Sequence, residues 1–393
     1  MENLNIKKFE KRIFMSSPTM HEEEQQFIKK AFDTNWVAPL GENVNEFENE
    51  IAKYIGCKGA SAMVSGTAAI HMAVKLAGVE KGDIVLCSDL TFSATVNPVL
   101  YEGGIPVFID SERETWNMDP RALEVAFQKY DGTIHEDGKY YAKPKAVIVV
   151  NLYGVPAKLE EIQNICKKYD TILIEDAAES LSAIYKGKQT GQFGKYNAIS
   201  FNGNKIITTS GGGMLVSDDL EGIEKSRYWA TQARQPYPYY YHTEIGYNYR
   251  MSNIVAGIGR GQLLHLDEHK KRKTEIYNYY KEELTGLPLQ MNPYDEMNSE
   301  PNFWLSCITI DEHSSVTPDE LRLILEEYNI ESRLIWRPMH MQPIYEKNDF
   351  ICIEYKSVGE DVFDRGLCLP SDLKMTIEEQ KQIVQIIKAV FKK

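Results

Sequence analysis

The chain has 393 residues, 43% of them hydrophobic, and a formal net charge of −13. That length and apolar content fit two domains sharing an interface and exclude disorder over most of the chain. The acidic balance removes nucleic acid from the expected partners, because no basic field offsets phosphate repulsion, and leaves open only a local basic pocket for a nucleotide diphosphate.

Residues 1–11 are charged and hold no apolar segment, so a signal peptide is not expected. No apolar run approaches the roughly 20 residues that span a bilayer. Residues up to about 19 read as an extended arm. A helix with Phe27, Ile28 and Phe32 follows, and stops before the loop Asn35-Trp36-Val37-Ala38-Pro39-Leu40-Gly41. Trp36 there either packs at a domain edge or walls a substrate mouth. Val44, Phe47, Ile51 and Tyr54 then recur at helical spacing, and Gly56 ends that helix.

A short strand at 61–64 leads into Ser65-Gly66-Thr67, which opens the next helix. Glycine admits an anion close to the backbone, the hydroxyls donate, and the helix N-terminus adds unpaired N–H groups. The same three residues also make an ordinary N-cap. His71, one turn in, reads as packing. A buried strand at 83–88 carries Cys87 and runs on to Phe92, a ring placed to stack on a flat ligand or to fill the core. A strand at 107–110, a helix begun by Asp119-Pro120, a polar excursion at 131–141, a strand at 146–150 and a helix at 159–169 follow.

Thr171-Ile172-Leu173-Ile174-Glu175-Asp176 is an apolar run ending in acids, with Glu179 just beyond. It reads as a buried parallel strand with carboxylates at its carboxyl end, where open α/β sheets bind ligands. Asp176 is suited to hold the protonated ring nitrogen of pyridoxal phosphate. Ser200-Phe201-Asn202-Gly203-Asn204-Lys205 then presents one lysine on a turn between two apolar strands, with no charged neighbour in sequence. Lys205 is a Schiff-base amine, a phosphate ligand, or a lysine capping a loop.

Strands alternate with helices to about residue 216, which predicts an α/β fold: a mostly parallel central sheet with helices on both faces. A nicotinamide site fails, because the G-x-G-like run at 257–261 lies inside a helical pattern. No His/Cys/acid spacing suggests a metal. The six cysteines form no C-x-x-C pair and read as reduced core residues of a cytoplasmic protein.

Beyond a helix at 220–230 come Gln232, Arg234, a tyrosine-rich loop at 237–241, and Gly246-Tyr247-Asn248-Tyr249-Arg250. Arginine forks suit diphosphates and tyrosines offer flat hydroxyl-bearing surface; the alternative is a polar subunit interface. One long helix is expected from about 252 to 284, its basic middle at 269–273 a solvated face. The domain division falls at 1–265 and 266–393. A strand at 304–310, a helix at 317–328, a segment at 330–336, a loop at 337–343 carrying His340 and a last helix from about 376 make a smaller C-terminal α+β domain.

S-G-T-A-A-I-H at 65–71, E-D-A-A-E-S at 175–180, S-F-N-G-N-K at 200–205 and G-Y-N-Y-R at 246–250, in this order, resemble the DegT/StrS family of pyridoxal phosphate (PLP)-dependent nucleotide-sugar aminotransferases. The resemblance covers nearly the whole chain. It implies the PLP-dependent transferase fold type I, PLP as cofactor, an amino-acid donor such as glutamate, and a homodimer with shared active sites. By position it makes Lys205 the Schiff-base lysine and Asp176 the pyridinium partner. Ser65, Gly66, Thr67 and Ser200 become the phosphate cradle, Phe92 the ring that stacks, and Glu179 a neighbour of the cofactor's ring oxygen. Asn248 would touch the partner's cofactor phosphate. Trp36, Asn202, Gln232, Arg234, Arg250 and His340 are the candidate substrate contacts. Related sugar dehydratases carry histidine where this chain keeps Lys205, so amino transfer is expected.

Many relatives follow the lysine with G-E-G-G, where this chain has Ser210-Gly211-Gly212-Gly213. With T-Q-A-R at 231–234 and N-L-Y-G at 151–154, that turn resembles the branch aminating UDP-4-keto-6-deoxy-N-acetylglucosamine for bacillosamine-type sugars. GDP-perosamine-type or dTDP-linked keto sugars are the alternatives. A desulfurase would need a cysteine on a mobile Gly/Ser-rich loop, and none sits in one. A non-catalytic regulator on the same fold is the rival from another class.

Overall fold

A computed structural model describes residues 6–392, so the first five residues of the expected arm lie outside the described residues. An eight-stranded sheet runs in the order Gly59–Met63, Gly213–Ser217, Tyr196–Ser200, Ile172–Asp176, Ala146–Val150, Ile84–Ser88, Ile105–Ile109, Phe350–Ile351. Gly213–Ser217 is antiparallel to both of its neighbours, and every other pairing is parallel. The central strands are buried along their whole length because both faces are covered. Val85, Cys87, Ile148 and Ala198 pack with the helix Gly66–Leu76 on one side. Leu86, Val147, Val149 and Leu173 pack with Pro120–Lys129 and Leu159–Lys168 on the other. Neighbouring residues of one strand thus serve opposite layers.

The carboxyl ends of the parallel strands meet along one edge, which brings Asp89, Asn151, Asp176 and Ser200 together although they are spread over more than a hundred residues of sequence. The lysine turn leaves the sheet at that edge.

The later part of the chain forms an antiparallel four-stranded sheet, Leu289–Met291, Ser306–Ile310, Gly366–Leu369 and Arg333–Leu334 in that order. Ile276, Tyr280, Leu325, Ile383 and Ile387 from three helices cover it. The division at residue 265 is crossed in both directions. Phe350–Ile351 joins the edge of the large sheet beside Ile105–Ile109, and Ile13 of the arm bridges to Ile330. A two-residue strand carries too little pattern to be read from sequence.

Two expectations are corrected. The long helix is two helices, Asn253–Leu263 and Leu266–Glu283, broken where the Leu264 and His265 N–H groups donate to the Gly261 and Gln262 carbonyls three residues back. The first of the pair carries the glycine run at 257–261. A Cβ on Gly259 would lie 2.4 Å from the Phe47 ring, so that glycine lets the helix pack tightly on Glu42–Ile55. The basic middle is a solvated face only in part: Lys271 is exposed and Lys270 and Arg272 are half-buried, but His269 and Lys273 point inward. Lys273 is 1% exposed, and its ammonium nitrogen lies 3.0 Å from the Trp304 carbonyl and 2.6 Å from that of Ser371. His269 is buried too, bonded to the Ile206 carbonyl.

Candidate active site

Asp176 ends its strand almost wholly buried. The Thr95 hydroxyl donates to Oδ2 at 2.7 Å and the Ala178 N–H to Oδ1 at 3.1 Å, while Thr91 bonds Thr95 at 2.6 Å. Burial pushes the Asp176 carboxyl above its ordinary range, and the Thr95 and Ala178 donors and the Lys205 charge oppose that rise.

The Lys205 N–H closes its turn on the Asn202 carbonyl at 3.0 Å. Its side-chain nitrogen sits 3.5 Å from Oε1 of Glu179 and 3.9 Å from the centroid of the Trp304 ring. Glu179 is also buried, and its Oε2 accepts the Tyr153 N–H at 2.7 Å. Tyr153 reaches that geometry with φ at +53°, uncommon for a bulky residue. Burial pushes the Glu179 carboxyl up to about 7, against the Lys205 charge and the Tyr153 N–H.

Facing these groups is the start of the helix Gly66–Leu76. Ser65 caps it, its hydroxyl accepting the Ala68 N–H at 3.0 Å. Gly66 and Thr67 follow at the end where N–H groups have no intrahelical partner. The space is narrow. A Cβ on Gly66 would come within 2.9 Å of the Ser200 Cβ, and one on Gly213 within 2.3 Å of the Ser65 carbonyl. Lys205, Asp176, Glu179 and this helix start line one cavity of about 340 Å³. An anion cradle, a buried carboxylate and an amine in one cavity fit the phosphate, ring nitrogen and aldehyde of PLP.

The structure brings Ser65, Gly66, Thr67, Phe92, Asp176, Glu179, Ser200, Asn202 and Lys205 to this cavity. It keeps the other candidates apart from it. Trp36 lines a separate surface groove with Lys30, Glu42 and Asn253. Gln232, Arg234 and Asn248 are exposed on an outer loop, where Gln232 donates to Asn248 at 3.2 Å and Arg234 lies over Tyr240. Arg250 is buried and committed to the Glu48 carboxylate, which also takes Arg227. His340 is held between Asp89 at 2.7 Å and Glu360 at 3.0 Å and stacks on Phe350. Burial alone would lower that imidazole, yet the Asp89 and Glu360 carboxylates hold it above its ordinary value. Arg250 and His340 therefore serve as internal clamps in this chain.

Sequence reasoning missed Thr95, Trp304 and Trp336. All three line the cavity. Only Thr95 had a local signal, a hydroxyl following the strand that ends in Ser88.

Residues 18–388 match the model of the DegT/DnrJ/EryC1/StrS aminotransferase family. The chain is 48% identical over 384 residues to "Putative pyridoxal phosphate-dependent aminotransferase EpsN" of Bacillus subtilis (strain 168), covering 97% of this chain and 96% of that one. It is 32% identical over 380 residues to a GDP-perosamine synthase of Caulobacter vibrioides, covering 96% and 98%. A crystal structure of a DegT DnrJ EryC1 StrS aminotransferase from Brucella abortus superposes with a TM-score of 0.86 at 26% identity, over 95% of this chain and 96% of that one. The chain belongs to the DegT/DnrJ/EryC1/StrS aminotransferase family, and its fold is that of the PLP-dependent sugar aminotransferases.

Proposed function

We propose that this member of the family moves an amino group from an amino acid, glutamate, to the nucleotide-linked sugar UDP-2-acetamido-4-keto-6-deoxyglucose, supplying bacillosamine-type sugars for glycan or polysaccharide synthesis in the cytoplasm. The coarser statement follows from family membership: the chain is a sugar aminotransferase and its cofactor is PLP. Among the described residues no helix is long and apolar enough to cross a membrane.

One observation carries the reading. The amine of Lys205 and the buried carboxylate of Asp176 share a cavity with a helix N-terminus. When bound, the cofactor supplies an electron-accepting ring that stabilises negative charge at the carbon losing a proton. The chain's own groups do the rest. The helix start at Ser65 to Thr67 anchors phosphate. Asp176 would hold the ring nitrogen and keep it protonated. The Lys205 amine takes a proton from the donor carbon and returns one to the sugar carbon. Glu179, 3.5 Å away, holds charge or proton beside that amine. Phe92, Trp304 and Trp336 limit water on one side of the cavity.

The serine-containing glycine turn at 210–213 supports the UDP-linked substrate over its rivals. The 32% identical GDP-perosamine synthase favours a second reading, a GDP-linked 4-keto sugar. We also assign Asn248, with the tyrosine-rich surface around it, to the site of a second copy in a homodimer, since it faces outward and away from its own Lys205 cavity. The test is to incubate the purified protein with glutamate and UDP-, GDP- and dTDP-linked keto sugars and to read aminated products by mass. Amination of the UDP sugar is expected. Product from the GDP sugar alone would overturn the substrate, and no product from any would overturn the activity.

A further inference from the structure

Trp304 is fixed at each of its polar atoms. Its N–H donates to the Asn302 side chain at 2.9 Å, its carbonyl takes the buried Lys273 ammonium nitrogen at 3.0 Å, and its indole N–H donates to the Asn204 carbonyl at 2.6 Å. The Ser16 hydroxyl donates to that same Asn204 carbonyl at 2.9 Å. Trp304 is 2% exposed. The Lys205 amine lies over its ring, 3.9 Å from the centroid. The Glu179 carboxylate stands 3.5 Å from the same amine. A ring face attracts a cation through its quadrupole, and more strongly where water is excluded.

We propose that Trp304 is a positioning residue that seats the charged amine of Lys205, against Glu179, whenever that lysine is not joined to the cofactor. The seat has two consequences. It fixes where the amine waits, within reach of the carbons between which it moves protons. It also holds the amine between ring and carboxylate, so that an engaged amine is less free to attack. The residue belongs to the part of the chain beyond 265, so a later segment positions a lysine held on an earlier one. The proposal rests on Lys205 being the reactive amine, which the Lys205→Ala variant tests separately through loss of the visible absorbance of the bound cofactor.

The experiment uses the full chain stripped of cofactor. The acetyl ester of N-hydroxysuccinimide acetylates an amine that is free to attack it, and the Lys205 peptide is quantified by mass spectrometry at a fixed pH near neutrality. Trp304→Leu removes the ring face and is expected to raise the Lys205 acetylation rate about tenfold, the scale of one desolvated cation–π contact. Trp304→Phe keeps a face and should stay within about threefold of wild type on the same scale. Leucine could also raise the rate by opening the cavity, or could fail to fold. The deciding measurement therefore keeps the shape: tryptophan is replaced throughout by mono-, di- and trifluorotryptophan, which progressively weakens the ring quadrupole. A stepwise rise in Lys205 acetylation with each fluorine supports the seat. A flat series overturns it, whatever the leucine variant does.

Discussion

Removing a carboxylate from water is costly unless donors replace the solvent, and Asp176 keeps two of them, the Thr95 hydroxyl and the Ala178 N–H. Asp176→Asn should fold, because its amide oxygen can take the Ala178 N–H and its NH2 can face a rotated Thr95 hydroxyl. It should still lose on the order of a hundredfold in turnover, since a neutral amide offers no charge to a protonated ring nitrogen. Full activity with bound cofactor would mean that the acid strand has been misread. Thr95→Val tests the same carboxylate from behind. Burial already pushes Asp176 upward, and losing a donor pushes it further. The acid limb of the turnover profile should move to higher pH, with Thr95→Ser restoring it; an unmoved limb would make Thr95 mere packing. Lys205, Asp176 and Glu179 were legible in the sequence because each sits where a strand pattern breaks into chemistry. Trp304 was not, because its partner carbonyl at Asn204 lies 100 residues away. Arg250 and His340 show the converse. Their types suit ligands, but Glu48 and Asp89, 202 and 251 residues distant, already occupy them.

The helix Leu266–Glu283 shows how phase can outweigh composition. Leu266, His269, Lys273, Ile276 and Tyr280 fall at spacings of three and four, one face of the helix, and all five are buried. The charged run hid a face whose period was readable. The alternation of strands and helices was legible for a similar reason, since a sheet covered on both sides needs continuous apolar strands. What periodicity could not convey was the two-residue return of Phe350–Ile351 to the large sheet. Lys273 gives the buried face a measurable signature. Burial pushes its ammonium down to about 7 from an ordinary 10.5. Between those values the unfolded chain binds more protons than the folded one, so stability should rise with pH across the window, by up to about 1.4 kcal/mol per pH unit, and level off below it. Lys273→Met removes the titrating group. Denaturant unfolding of both proteins at the two ends of the window should show wild type gaining on the variant as pH rises. Parallel curves would mean that the ammonium stays charged in the fold, held by the carbonyls of Trp304 and Ser371.

At the scale of the whole molecule, two sets of candidate residues stand apart that one chain does not unite. One set surrounds Lys205 in its cavity. The other, with Asn248, Gln232 and Arg234, faces outward beside exposed Tyr239 and Tyr240. If the second set completes the site of a partner copy, as we propose, mixing two defective chains should restore activity. A Lys205→Ala chain is dead in its own site but still lends Asn248. An Asn248→Asp chain keeps its lysine, while its carboxylate repels the cofactor phosphate in the site it reaches. A mixed dimer then holds one site with both defects and one with neither. With random exchange half of the dimers are mixed, so turnover should recover to roughly a quarter of wild type, as two-fold symmetry requires. Differential tags on the two chains would verify exchange. Exchange without recovery would mean that Asn248 serves no neighbour, and the outer loop would then be a surface of its own chain with no part in the chemistry.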